Sequence, residues 1–342
     1  MSRKQDRQPP TSAPLARVSA GLRRWAIFLV LAVLVVLFQV AEPAFLRLAN
    51  LFSVLQAVSV TTLLGIGVTL SLAVGGFDLS VGSVAAICMM AASYAMVVLG
   101  FGAVPTVLLC LLLGGLIGLA NGLLIACLRI PDLLATLGSS FLLVGLQLIP
   151  TGGRSIASGM TLPSGAVARG HFDPAFLAIG RLRLWDVVPL PVVLAAGIVL
   201  AAWAVLERTR WGRVLYAVGG NEVAAHLAGA PTRTYRIGAY VASSLIAALG
   251  GVVLAARVGR GDVSTGSSLL LDSVAAALIG FAVLDARRPH VLGTAVGAVF
   301  VGVLLNGLTM LNAPYYTQDF VKGVVLVAAL ALTFGLGREQ GR

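Results

Sequence analysis

Hydrophobic positions in this chain gather into long unbroken runs separated by short polar stretches. Ten runs stand out, at residues 25–40, 58–74, 84–99, 104–128, 133–149, 187–206, 237–256, 269–284, 291–311 and 320–334. A helix needs about 20 apolar residues to cross a bilayer, so the shorter runs must borrow flanking residues. The pattern predicts an all-α integral membrane protein with about ten transmembrane helices.

Composition removes the soluble alternative. Of 342 residues, 58% are hydrophobic and only 11% charged, with a mean hydropathy of +0.99; soluble domains carry roughly 25% charged residues. The net charge of +11 does not point to nucleic acid, because a nucleic-acid-binding patch must lie on a water-exposed face. Here the charges sit between apolar runs, so membrane lipid is the expected surrounding.

Charge instead orients the helices. An even helix count puts both termini on one side, and the N-terminal arm holds Arg3, Lys4, Arg7, Arg17, Arg23 and Arg24 against Asp6 alone. By the positive-inside rule that side is cytoplasmic. Summed over the whole chain, the segments assigned inside carry +9 and those outside +2. The expected division is a cytoplasmic basic arm at 1–24, a transmembrane domain at 25–336 and a cytoplasmic tail at 337–342. No convincing small-x-small cleavage site follows the first run, which therefore reads as a retained helix.

The chain also repeats itself. Gly75-Gly76-Phe77-Asp78-Leu79-Ser80-Val81-Gly82-Ser83 matches Gly259-Arg260-Gly261-Asp262-Val263-Ser264-Thr265-Gly266-Ser267 at Gly75, Asp78, Ser80, Gly82 and Ser83, 184 residues on. Asn121-Gly122-Leu123 recurs as Asn306-Gly307-Leu308 at an offset of 185, and Pro131 as Pro314 at 183. The implied units are helices two to five (about 56–150) and seven to ten (about 238–336). An offset of five helices turns the second unit upside down, giving the inverted repeat common in transporters.

Glycines in both copies allow a broken helix or re-entrant turn, whose freed backbone groups must face protein or a watery cavity. Asp78 with Ser80, and Asp262 with Ser264, admit two readings: helix N-caps of the Asp-x-Ser kind, or polar groups lining a solute pathway. Asn121 and Asn306 join the pathway reading. Gly114, Gly115, Gly118, Gly297 and Gly302 suit close helix packing. Cys88, Cys110 and Cys127, without paired spacing, read as buried thiols.

The longest inside segment runs through Glu207-Arg208-Thr209-Arg210-Trp211-Gly212-Arg213 to Gly229. Within it, Asn221 offers a cap, Ala-rich residues follow, and Gly229 offers a stop, so 221–229 can form two turns of surface helix suited to docking. Thr-Arg-Trp-Gly-Arg, then Ala-Val-Gly-Gly-Asn and Ala-Ala-x-x-x-Gly, resembles the coupling loop of sugar-type permeases of ATP-binding-cassette importers, the ribose-transport family. Gly75 to Ser83 resembles that family's Gly-Gly-Ile-Asp-Leu-Ser-Val-Gly signature, and Leu271-Asp272-Ser273-Val274-Ala275-Ala276 its Leu-Asp-x-Ile-Ala-Ala stretch. Gly293-Thr294 with Asn306-Gly307-Leu308 resembles its ninth-helix pattern. The resemblance implies a bacterial inner-membrane permease that works as a homodimer or heterodimer. A cytoplasmic ATPase and an extracytoplasmic solute-binding protein would be its partners, and a monosaccharide or related polyol its cargo. It also implies that Thr209, Gly212, Arg213, Gly219, Asn221, Ala224, Ala225 and Gly229 face or shape the ATPase contact. The chain departs from the family at Gly280 to His290, where a Gly-Gly-x-Ser-x-x-Gly-Gly-x-Gly loop is usual.

Chemistry of its own is not expected. A phosphate-binding loop needs Gly-Lys-Ser/Thr, and the only lysines, Lys4 and Lys322, lack that context. ATP would be bound by a partner, with no cofactor in this chain. His171, His226 and His290 fall in three different loops, leaving no metal or catalytic cluster. Two alternatives to the sugar permease are a branched-chain amino-acid permease and an ion-coupled secondary transporter, the latter disfavoured by runs almost free of charge.

Overall fold

The computed structural model describes residues 13–161, 165, 167, 168, 170–283 and 288–330. The expected tail, the first twelve residues of the arm, Leu284 to Arg287 of the atypical segment and the end of the tenth run lie outside them. The helices are α1 (Ala13–Ala41), α2 (Leu48–Ala73), α3 (Val81–Val97), α4 (Ala103–Ala126), α5 (Asp132–Leu148), α6 (Pro174–Arg181), α7 (Leu190–Arg208), α8 (Arg210–Gly220), α9 (Glu222–Leu227), α10 (Thr232–Val258), α11 (Thr265–Val283), α12 (Val291–Met310) and α13 (Tyr315–Leu330). A two-residue hairpin pairs β1 (Arg183–Leu184) with β2 (Val188–Pro189).

Each of the ten runs falls within or alongside one helix, the last five being α7, α10, α11, α12 and α13. Among the described residues, six helices are long and apolar enough to span a membrane, and three shorter apolar stretches lie in α1, α3 and α11. α1 starts at Ala13, well before its apolar run, so the basic arm is partly helical. Ala, Leu and Arg favour helix there, and Pro14 sits in the first turn, where its missing N–H costs nothing.

α2, α10 and nearly all of α3 form the centre, and α4, α5 and α7 present more of their surface outward. α10 packs on α3 and α4, and α2 packs on α11 and α12. The α2–α10 and α3–α11 contacts join the two groups, and the α3–α4, α3–α5 and α4–α5 pairings are matched by α11–α12, α11–α13 and α12–α13.

Small residues make the close helix crossings. Gly114, Gly118 and Gly122 form one stripe of α4 against α10, and a Cβ on Gly118 would come within 2.6 Å of the Tyr240 carbonyl oxygen and 2.7 Å of the Val241 Cα. In lipid, such backbone approach supplies the association energy. Gly297 meets the Ala276 backbone of α11 in the same way, whereas Gly302 packs on the Val58 side chain of α2. Because backbone atoms stand in the way, we expect Gly118→Leu to cost at least the roughly 1–3 kcal/mol of ordinary overpacking. Thermal unfolding of the detergent-purified variant checks this, and an unchanged melting temperature would reject the packing role.

Outside the bundle, the Asp173 carboxylate caps two helices, accepting from Ala175 N at 2.8 Å and Ala103 N at 2.9 Å. Those backbone donors, Ala175 first, hold its carboxyl below the usual range. Cys88 and Cys110 are buried and exchange S–H contacts with each other's carbonyls. Cys127 corrects the buried-thiol expectation: α4 stops at Ala126, and the thiol is exposed.

Candidate functional site

α2 ends where Gly75 takes φ of 77°, a left-handed value that favours glycine. The chain then turns back along α2, and α3 begins beside it: a Cβ on Gly67 would lie 3.5 Å from Val81 Cγ1. Gly67 is six residues before the end of α2, so α3 starts roughly 9 Å back from that end at 1.5 Å per residue. The segment between is re-entrant, and its backbone cannot be left unpaired at that depth.

Side chains supply the partners. Phe77 N donates to Asp132 Oδ2 at 2.6 Å, Asp78 N to Ser71 Oγ at 3.2 Å, Leu79 N to Thr136 Oγ1 at 3.2 Å and Ser80 N to Asp78 Oδ1 at 2.9 Å. The Asp78 carboxylate also accepts from Ser80 Oγ at 2.6 Å and Ser243 Oγ at 2.8 Å. Asn121 Nδ2 donates to Ser80 Oγ at 3.0 Å, and Ser139 Oγ donates to Asn121 Oδ1. One closed network therefore ties α2, α4, α5 and α10 to the break. Asp78, Ser80 and Asn121 are all fully buried.

The cap reading shifts by two residues: Ser80 occupies the N-cap position of α3, without a side-chain cap bond, while Asp78 closes the turn before it by accepting from Ser80 N and Oγ. Its side chain is sealed from solvent in this conformation.

The second copy folds the same turn in a looser setting. Asp262 Oδ1 accepts from Ser264 N at 2.9 Å and Ser264 Oγ at 2.7 Å, and Oδ2 pairs with Arg260 at 3.0 Å. Its side chain stays 22% exposed, held by its own segment where Asp78 is gripped from α10. Gly82 and Gly266, equivalent positions of the two copies, touch: a Cβ on Gly266 would lie 3.4 Å from the Gly82 carbonyl oxygen. Asn306 does not follow Asn121. It exchanges hydrogen bonds with Asn50 of α2, at 2.9 and 3.1 Å.

The predicted surface helix is present as α9. Asn221 Oδ1 accepts from Ala224 N at 2.9 Å as its cap, and Gly229 follows with φ of 87°. Thr209 caps α8 by accepting from Gly212 N at 3.3 Å. Gly212 packs on the Leu206 carbonyl, and Arg213 is exposed on the same helix. Ala225 requires a correction: it is only 7% exposed and turned into its own chain, because α9 offers its apolar Val223 and Leu227 outward at 70% and 82% exposure. Ala224 stays exposed.

Gly219 makes the contact that links the two regions. A Cβ there would lie 2.8 Å from Gly75 N and against the Ala73 carbonyl, so the end of α8 rests on the backbone of the α2 break. The described end of the atypical segment also packs on α8. Arg288 pairs with Glu207 at 3.1 Å and lies 5.1 Å over the Tyr216 ring, whose hydroxyl donates to the Pro289 carbonyl at 2.8 Å. Burial and the Glu207 charge raise the Tyr216 pKa.

Sequence reasoning did not single out Ser71, Asp132, Thr136, Ser139 or Ser243. The available signal was polar residues within or at the edge of runs otherwise apolar, which at membrane depth need partners. Among the described residues, no group of His, Cys, Asp and Glu could hold a metal ion.

The fold is a multi-pass helical bundle with a closed re-entrant break, and similarity to known proteins supplies both class and family. The family model described as branched-chain amino acid transport system / permease component matches residues 50–330, and the chain belongs to that family. It is 35% identical over 311 residues to the ribose import permease protein RbsC of Escherichia coli (strain K12), covering 91% of this chain and 94% of the relative. It is 31% identical to the RbsC of Bacillus subtilis (strain 168), covering 89% and 91%. Similarity to the autoinducer 2 import system permease protein LsrC of Klebsiella pneumoniae is 33%, covering 93% and 88%. No solved structure matches the chain. The chain is thus a multi-pass inner-membrane permease subunit of an ATP-binding-cassette importer.

Proposed function

We propose that this permease moves a monosaccharide or a related small polyol into the cytoplasm, with a separate ATPase docked on α9 and an extracytoplasmic binding protein delivering the solute. It catalyses no reaction itself and works paired with a second permease copy. The relatives named for ribose and autoinducer 2 support the cargo class, and the charge balance supports cytoplasmic termini. Repeat one, about 56–150, and repeat two, about 238–336, are related by a pseudo-two-fold axis passing near Gly82 and Gly266.

The contact of Gly219 with Gly75 carries the mechanism. The ATPase grips the outward Val223 and Leu227 of α9; α8 carries that motion to the α2 break; and the Asp78–Ser80–Asn121 network holds the break shut until it is pushed. Two discrete arrangements of one element, biased from the ATPase side, are what alternating access requires.

Gly219→Val tests this. Its Cβ would meet the Ala73 carbonyl, forcing α8 off the break, so uptake of ribose, as probe, should fall at least about tenfold, the effect of roughly 1.4 kcal/mol. ATPase co-purification should persist because α9 is untouched. Normal uptake in the inserted variant would sink the proposed path. Competition by leucine instead of ribose would redirect the cargo to the branched-chain amino acids of the family description.

A further inference from the structure

One buried donor beside the α2 break is stranded. Tyr240 of α10 is fully buried, its ring packed with Ile125 of α4 and Ala135 of α5, yet its hydroxyl makes no hydrogen bond among the described residues. A buried donor without an acceptor destabilises the conformation that strands it. Gly76 shows why the bond is unmade: a Cβ there would run into the Tyr240 hydroxyl and lie 3.1 Å from Asp132 Oδ2, so the bare backbone of the break sits against both oxygens at once. Asp132 Oδ2 meanwhile accepts from Phe77 N at 2.6 Å. The shut break therefore occupies the acceptor with one residue and crowds the donor with its neighbour.

Withdrawing Gly76 and Phe77 would free the carboxylate and clear the space in front of the hydroxyl. We propose that Tyr240 is a positioning residue for transport: its hydroxyl is stranded while the break is shut and donates to the Asp132 carboxylate once the break moves. A two-state element is biased only by interactions that differ between its states, and this bond exists in one of them alone. It offsets part of what the moved break loses when Phe77 N leaves Asp132. The role rests on the α2 break being the moving element, and not on the route from α8 that drives it.

Tyr240→Phe removes the hydroxyl and keeps the ring. In the full-length chain purified in detergent, the melting temperature should rise by about 2 °C. The amides of residues 76–80 should exchange with deuterium at least about threefold more slowly, because opening no longer relieves a stranded donor. In liposomes with the ATPase and binding protein, uptake of ribose, as probe, should fall at least about threefold as the moved state becomes less populated. A hydroxyl with a purely structural role would move stability and uptake in the same direction. The slowing of exchange should also be smaller in an Asp132→Asn background, where the acceptor is weaker. Melting and exchange need no ATPase, so they succeed or fail independently of the α8 route that Gly219→Val probes. A lower melting temperature or faster exchange in Tyr240→Phe would mean that the hydroxyl is already bonded at rest. Normal uptake would leave it stranded without a role, and undiminished slowing in the Asp132→Asn background would remove Asp132 as its acceptor. Each of those results overturns the proposal.

Discussion

Replacing Asp78 with Ala should give the largest loss of any single substitution in the bundle. The carboxylate accepts from Ser80 N, Ser80 Oγ and Ser243 Oγ, and Ala would leave those three buried donors without it. Each unsatisfied buried group costs about 1–3 kcal/mol, and water cannot easily replace an acceptor at a site with no exposed surface. We expect roughly 3 kcal/mol or more of lost stability, seen as a lower melting temperature and poorer yield of folded permease. Asp78→Asn keeps one acceptor oxygen and should fall between the two. The matching change at Asp262, which is partly exposed and can be solvated, should cost less than about 1 kcal/mol. Equal effects at the two aspartates would show that burial in the α2 break is not what makes Asp78 matter.

The second large effect is expected on α9. Val223 and Leu227 present the outward apolar face, so Val223→Glu/Leu227→Glu should abolish ATPase docking while leaving the permease folded. Burying an unpaired charge costs several kcal/mol, enough to weaken association more than about a hundredfold. Ala225→Glu should act otherwise. With Ala225 turned inward, a carboxylate there displaces α9 from its own chain, and the loss should show first in stability. Co-purification and melting temperature measured on both variants separate the two faces of the helix. Retention of the ATPase by the double variant would remove α9 from the interface.

That contrast also shows where sequence reasoning stopped. Asn221 and Gly229 marked the ends of α9 because cap and stop are local chemistry, readable from residue type alone. Which side of a six-residue helix faces its own chain depends on where α8 and α10 place it, and no periodicity over so short a stretch could reveal it. Asp78 gives the same lesson at larger scale. Its position in a repeated Gly-Asp-Ser segment was plain, yet its acceptor role depends on Ser243, 165 residues away, and on α10 crossing α2 closely. The two copies share the Asp-x-Ser turn, and they part in what packs around it and in Arg260, which pairs with Asp262 where the first copy has Gly76. Asn121 and Asn306 diverge for the same reason, since one faces the break and the other faces Asn50. The apolar runs located the helices well because the bilayer imposes their length. α1 ran further than its run because helix propensity, unlike the bilayer, does not stop at Trp25.

That the chain is the passive membrane path of an ATP-driven importer is tested most directly by one reconstitution. The permease is placed in liposomes alone and then together with its ATPase and binding protein, and uptake of labelled ribose is followed with ATP supplied or withheld and with ion gradients collapsed by ionophores. Uptake is expected only when the ATPase and ATP are both present, with no loss on adding ionophores. Gradient-driven uptake by the permease alone would contradict it and make the chain an ion-coupled transporter.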